Sequence, residues 1–144
     1  DELIVMYYAI ELLRVVESLH LAGVVNADIK PDNLLVRNGG DNWCDWAVTR
    51  PGSWKLKCLS LIDFGLAIDL GMYDWQTVFV GDCGTEGFRC SEMIEGKPWT
   101  WQADMHQIAA TVHALLFGKY MQVHKVLTDF DGFKYRPRES LKRW

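Results

Sequence analysis

Apolar residues recur at helical spacing through the first stretch of the chain, at Ile4, Tyr8, Leu12, Val15, Val16 and Leu19, and predict one amphipathic helix stopped at Gly23. Val24 and Val25 then lead into a polar stretch from Asn26 to Asn33. After it, Leu34-Leu35-Val36 reads as a short buried strand closed by Asn38-Gly39-Gly40. Residues 37–55 scatter Trp43, Trp46 and Trp54 among Gly, Asn, Asp and Pro and predict a long loop, and residues 56–62 return as a second strand. No periodicity holds from there to Glu92, which marks an irregular segment. A strongly apolar helix is then expected from about Trp101 to Phe117, ended by Gly118. There is no internal repeat or low-complexity tract.

Composition narrows the class. The chain has 144 residues, 49% hydrophobic and 24% charged, which suits one soluble domain with a packed core. A net charge of -4 argues against a nucleic-acid-binding surface, which would show as a basic patch or stripe. The locally basic run from Lys134 to Arg143 reads as a solvated tail or helix face. Cys44, Cys58, Cys83 and Cys90 form no C-x-x-C pair and read as reduced thiols of a nuclear or cytosolic protein. His20, His106, His113 and His124 lack zinc-site spacing and read as structural. Neither a signal peptide nor an apolar run of about 18 residues is present, so secretion and membrane insertion are not expected.

The polar stretch carries the chemistry. It reads Asn26-Ala27-Asp28-Ile29-Lys30-Pro31-Asp32-Asn33 and is followed by Asp63-Phe64-Gly65. Phosphoryl transfer works by positioning and charge neutralisation, so its site needs a carboxylate near the attacking hydroxyl, a cation at the phosphate and two metal ligands. Either motif alone occurs by chance, and an isolated Asp-Phe-Gly is a turn. Their order, the intervening Lys30-Pro31, the flanking strands and the later Gly84-Thr85-x-x-Phe88-x-x-x-Glu92 make them one pattern.

That pattern resembles the catalytic loop and metal motif of eukaryotic protein kinases. The resemblance implies a partial kinase-like fold over residues 1–144, α+β and mainly α, corresponding to the C-terminal lobe. No G-x-G-x-x-G and no Val-Ala-x-Lys strand precede the loop, so the N-terminal lobe is expected to be absent from this chain. By resemblance Asp28 is the catalytic base and Lys30 approaches the γ-phosphate of ATP. Asn33 and Asp63 hold Mg²⁺, and Leu35 forms the apolar floor beneath adenine. Thr85 matches the residue that supports the base and Lys30, and Asp104 the one that hydrogen-bonds the catalytic-loop backbone, with a helix N-cap as its alternative. Glu92 stands where the family has a Glu paired to an Arg near the end of the lobe. Lys30-Pro31-Asp32-Asn33 is the Ser/Thr-kinase version of the loop.

The departures from the family pattern are informative. The loop normally opens His-Arg-Asp; here Ala27 removes the guanidinium that receives an activation-loop phosphate, so control by loop phosphorylation is not expected. Asn26 replaces a His used for packing and backbone hydrogen bonding, a role an amide fills. The 29 residues between Asn33 and Asp63 are about twice the usual number. A surface insertion is tolerable because loop closure costs only about 0.6 kcal/mol per doubling of length. Trp43, Trp46 and Trp54 within it are expected to pack on the lobe rather than on a partner.

Together with Cys90-Ser91-Glu92-Met93, Lys97-Pro98-Trp99, Ala109-Ala110-Thr111-Val112 and Leu116-Phe117-Gly118-x-Tyr120-Met121, these departures resemble the Bub family of mitotic spindle checkpoint kinases. That implies a nuclear Ser/Thr kinase at kinetochores, working with checkpoint proteins, with a histone tail as substrate class and no direct contact with nucleic acid or membrane. The alternatives are a pseudokinase scaffold and a truncated, inactive product with an interaction role. Taken alone, the half-lobe is expected to be inactive and to aggregate through apolar faces at Ile108, Val112, Leu115 and Leu116.

Overall fold

The computed structural model describes residues 2–36, 59–128 and 132–139. Helix α1 runs over Glu2–Leu21 and buries Tyr8, Leu12 and Val16, the stripe that the apolar spacing predicts. Strand β1 (Val24–Val25) follows, then a single 3-10 turn at Pro31–Asn33 and strand β2 (Leu34–Val36). β2 pairs antiparallel with β3 (Leu59–Leu61), Leu34 opposite Leu61. β1 pairs antiparallel with β4 (Ile68–Asp69), Val25 opposite Ile68. The polar stretch is therefore a loop hung between two small ladders. The Trp-rich residues and residues 56–58 of the expected second strand lie outside the described residues.

Beyond β4 the segment expected to be irregular holds two 3-10 turns, at Leu70–Met72 and Glu86–Phe88, and a one-turn helix α2 at Ser91–Ile94. Helix α3 (Gln102–Phe117) follows. Its start is closed by Gln102, whose Oε1 accepts from the Thr100 amide at 2.8 Å and the Thr100 hydroxyl at 2.6 Å. It ends at Gly118, whose φ of 67° suits a residue without Cβ and whose amide donates to the Ala114 carbonyl at 2.9 Å.

Among the described residues, two cores hold these pieces. The larger packs Tyr8, Leu12 and Val16 of α1 on Ile29, Leu59, Leu61 and Ile108. The smaller gathers Cys90, Met93, Trp99 and Ala103, with Ile68, Phe79 and Cys83 against it. α1 and α3 share the larger core with the loop residue Ile29, so the polar loop is anchored in hydrophobic packing rather than draped over it.

Three expectations are corrected. β2 is not a buried strand: Leu35 and Val36 are 52% and 41% exposed, and only Leu34 packs against the larger core. Ile108 is 5% exposed, because α3 turns it toward α1; the outward apolar residues of α3 are Ala109, Leu115 and the half-buried Leu116. The basic run is no helix face: Gly132–Pro137 forms strand β6, paired antiparallel with β5 (Val123–Thr128), Lys125 opposite Tyr135. Alternating β-branched and aromatic residues outweigh the charge pattern there, and Lys125 lies over the Phe133 and Tyr135 rings.

The side of α1 away from the core exposes Leu3, Met6, Ile10 and Leu13. These exposed apolar residues, with Leu115 on α3, are expected to drive association of the isolated 144-residue chain. Light scattering is expected to give a mass above 16.6 kDa, and replacing Ile10 and Leu13 by Glu is expected to lower it toward the monomer. A monodisperse, cooperatively melting monomer would contradict this.

Candidate active site

The loop starts with a conformational problem. Ala27 sits at φ 63°, the left-handed region that costs a residue with Cβ about 1–2 kcal/mol. Asp104, in the first turn of α3 and fully buried, holds it there: Oδ2 accepts the Asn26 amide at 2.9 Å and Oδ1 the Ala27 amide at 2.7 Å. His20, at the end of α1, bonds the same carboxylate through Nε2 at 2.9 Å. One turn further along α3, the buried Gln107 donates to the Ala27 carbonyl and accepts from the Ile29 amide, both at 2.8 Å. The Asn26 side-chain oxygen accepts the Asp28 amide at 3.1 Å, so the amide serves backbone hydrogen bonding where the family has His.

Asp28, 7% exposed, is thereby aimed into a cluster. Its Oδ1 accepts from the Thr85 amide at 2.9 Å and the Thr85 hydroxyl at 2.8 Å. Its Oδ2 accepts from Lys30 Nζ at 2.8 Å and Asn33 Nδ2 at 3.1 Å. Lys30 also donates to the Thr85 hydroxyl at 2.7 Å, and Asn33 to the Asp28 carbonyl at 2.9 Å. Burial pushes the Asp28 carboxyl up, but the hydrogen bonds from Lys30 and Thr85 and the Lys30 charge outweigh it and hold it below the ordinary carboxylate value. The Asp28 hydrogen bond pushes Lys30 up against a smaller effect of burial, helped by the charges of Asp28, Asp32 and Asp63. The result at neutral pH is an ionised, aligned pair.

Thr85 reaches Asp28 only because the preceding residue is Gly84. Its φ is 70°, and a Cβ there would run into the Ala27 carbonyl oxygen. Tyr120, beyond α3, donates to Asp32 at 2.7 Å while its ring meets Phe88, tying the other side of the loop.

Asp63 follows β3, is exposed, and takes φ 63°, with Oδ1 accepting the Gly65 amide at 3.1 Å. The Ile62 amide bonds the Asn33 carbonyl at 2.9 Å, which brings the two motifs side by side. Leu35 is 52% exposed on β2 and, with Ile62 and Phe64, shows apolar surface beside the cluster. Thus Asp28, Lys30 and Asn33 share one hydrogen-bonded network, Asp63 acts on it through charge, and Leu35 stands at its edge. Glu92 accepts from Ser91 at 3.0 Å, and no Arg pairs with it among the described residues.

Sequence reasoning missed Gln107, the need for Gly84, and the Tyr120–Asp32 tie. Gln107 lies three residues after Asp104, hence on the same helix face, and that spacing was the available signal.

Residues 1–133 match the protein kinase domain model. The chain belongs to the protein kinase family. It is 42% identical over 145 residues to the mitotic checkpoint serine/threonine-protein kinase BUB1 of Arabidopsis thaliana, covering 100% of this chain and 28% of that protein. It is 38% identical over 126 residues to the spindle assembly checkpoint serine/threonine-protein kinase bub1 of Schizosaccharomyces pombe, covering 85% of this chain and 12% of that one. Among solved structures, the BubR1 kinase domain superposes with a TM-score of 0.78 at 32% identity, covering 100% of this chain and 39% of the other. The chain therefore spans less than a third of the length of these two relatives, and its likeness to the Bub kinases extends along all of it.

Two outcomes are expected. Gly84→Ala combines a left-handed φ with a backbone collision and should cost more than about 2 kcal/mol. Gly23→Ala, at a similar φ of 76° but with open space around it, should cost only about 1 kcal/mol. Urea unfolding of both variants in the full-length protein measures the difference. Because the folded-state pKa of Asp28 lies below its unfolded value, its stabilisation is full above about pH 4 and is lost as pH falls through the lower folded value. Thr85→Val removes one of the hydrogen bonds responsible and should reduce that acid-linked loss in unfolding curves measured between about pH 5 and 2.

Proposed function

We propose that this chain is the catalytic half of an ATP- and Mg²⁺-dependent protein kinase of the mitotic spindle checkpoint type, which transfers the γ-phosphate to Ser or Thr hydroxyls of a protein substrate. The observation that carries the reading is the Asp28 carboxylate, ionised, buried and fixed by Thr85, Lys30 and Asn33. In this reading Asp28 accepts the proton of the attacking hydroxyl, and Lys30 carries positive charge to the transferred phosphoryl group. Leu35 offers an apolar surface suited to the adenine ring.

The donor set fits Mg²⁺. Asn33 commits its amide nitrogen to Asp28, leaving its carbonyl oxygen as ligand atom, and Asp63 presents an exposed carboxylate; both are hard oxygen donors. When bound with ATP, Mg²⁺ neutralises phosphate charge.

The segment bearing Thr85 is held by contacts within the chain. Phe79 and Trp99 exchange backbone hydrogen bonds at 2.9 Å each, the Trp99 indole donates to the Gly81 carbonyl at 2.9 Å, and Arg89 pairs with Asp82 at 2.6 Å. This supports a kinase that needs no loop phosphorylation, in keeping with Ala27. The checkpoint kinase names of the relatives support a protein substrate and checkpoint proteins as partners; a histone-tail substrate and action at kinetochores in the nucleus complete the proposal.

The test is γ-phosphate transfer from labelled ATP by the full-length protein. Asp28→Asn is expected to lower transfer by about 10²–10⁴-fold. Equal labelling by wild type and variant would sink the assignment. Absence of both Mg·ATP binding and turnover in the wild type would favour the pseudokinase scaffold.

A further inference from the structure

We propose that Gln107 is a positioning residue for Asp28, a single carboxamide on α3 that fixes the two peptide groups flanking the base. The inference rests on the phosphotransfer reading of the Asp28 site and adds to it a residue outside the loop. The φ and ψ of Asp28 lie between two peptide planes. The Ala27 carbonyl belongs to the first and accepts from Gln107 Nε2 at 2.8 Å; the Ile29 amide belongs to the second and donates to Gln107 Oε1 at 2.8 Å. Gln107 is fully buried, so these bonds have no competition from bulk water. A carboxamide has distinct donor and acceptor ends, and reversing it would set N–H against N–H and oxygen against oxygen. Its orientation is therefore unique, and so is the backbone it grips.

Two further observations make this grip consequential. Ala27 is held at a positive φ and has no polar side chain with which to secure its own peptide, so the loop depends on groups supplied from α3. Gly84 also packs on the same carboxamide: a Cβ built on it would come within 3.1 Å of Gln107 Nε2. Gln107 thus underlies both the peptide groups of Asp28 and the turn that delivers Thr85 to the Asp28 carboxylate. Asp104 cannot substitute for it, because its two oxygens accept amides of Asn26 and Ala27 and supply no donor.

The test compares wild type, Gln107→Met and Gln107→Glu in the full-length protein. Methionine keeps length and burial and loses both hydrogen bonds; ionised glutamate keeps the acceptor for Ile29 and loses the donor to Ala27. Both variants are expected to lower kcat about 10-fold or more with KM for Mg·ATP within about 2-fold, since a small misplacement of a reacting group penalises the chemical step. Amide hydrogen exchange gives a readout independent of activity. In Gln107→Met the Ile29 amide should lose about 10-fold or more of its protection, while amides of the α1 core around Leu12 keep theirs. Gln107→Glu should retain most of the Ile29 protection. Unchanged Ile29 exchange in Gln107→Met overturns the proposal, as does unchanged kcat. Uniform loss of protection, reaching Leu12, also overturns it by showing a general packing role. Should the wild type transfer no phosphate, the kinase reading falls, and the contrast between Ile29 and Leu12 exchange decides whether the grip exists.

Discussion

The arrangement depends on one buried carboxylate. Asp104 is removed from solvent entirely, and a polar group in that position is tolerable only when its lone pairs are filled by donors. The Asn26 and Ala27 amides and the His20 ring fill them. Its place in the first turn of α3 adds the favourable end of the helix dipole. The interaction is mutual: the carboxylate needs the loop's amides, and the loop's left-handed Ala27 needs the carboxylate. Neither is stable in that form alone, so the loop and α3 are locked into one unit.

From that lock the remaining geometry follows by short steps. α3 is held against α1 by the core of Tyr8, Leu12, Val16 and Ile108, to which the loop contributes Ile29. With the loop seated, Asp28 points toward Gly84-Thr85, and the second core around Trp99 and Met93 holds that segment in reach. The polar network is thus suspended between two apolar clusters, each on a different side of α3. This explains how a largely irregular segment presents a hydroxyl and an amide to one carboxylate oxygen.

Much of the fold was legible. The apolar stripe of α1 faces inward as its spacing indicates, α3 covers the stretch expected of it and stops at Gly118, and β2 and β3 flank the motifs they were expected to flank. The β5–β6 hairpin was not legible, because Lys134, Arg136 and Arg138 gave the segment the look of a solvated face while its strand character lay in the residues between them. Ile108 was not legible for a related reason: α3 carries apolar residues on more than one side, so periodicity alone does not say which side meets α1.

For the site, the sequence by itself determined which residue types stand together. Asp28, Lys30 and Asn33 lie within six residues of one another, and their spacing is local enough for the chain to dictate that they share a loop. Only the tertiary structure decided what holds that loop. Thr85 meets Asp28 across 57 residues of sequence, and Gln107 reaches Ala27 across 80. A hydrogen bond across such a separation leaves no period in the sequence. It exists because hydrophobic burial has already placed α3 beneath the loop, within the few ångströms over which a donor and an acceptor can find one another.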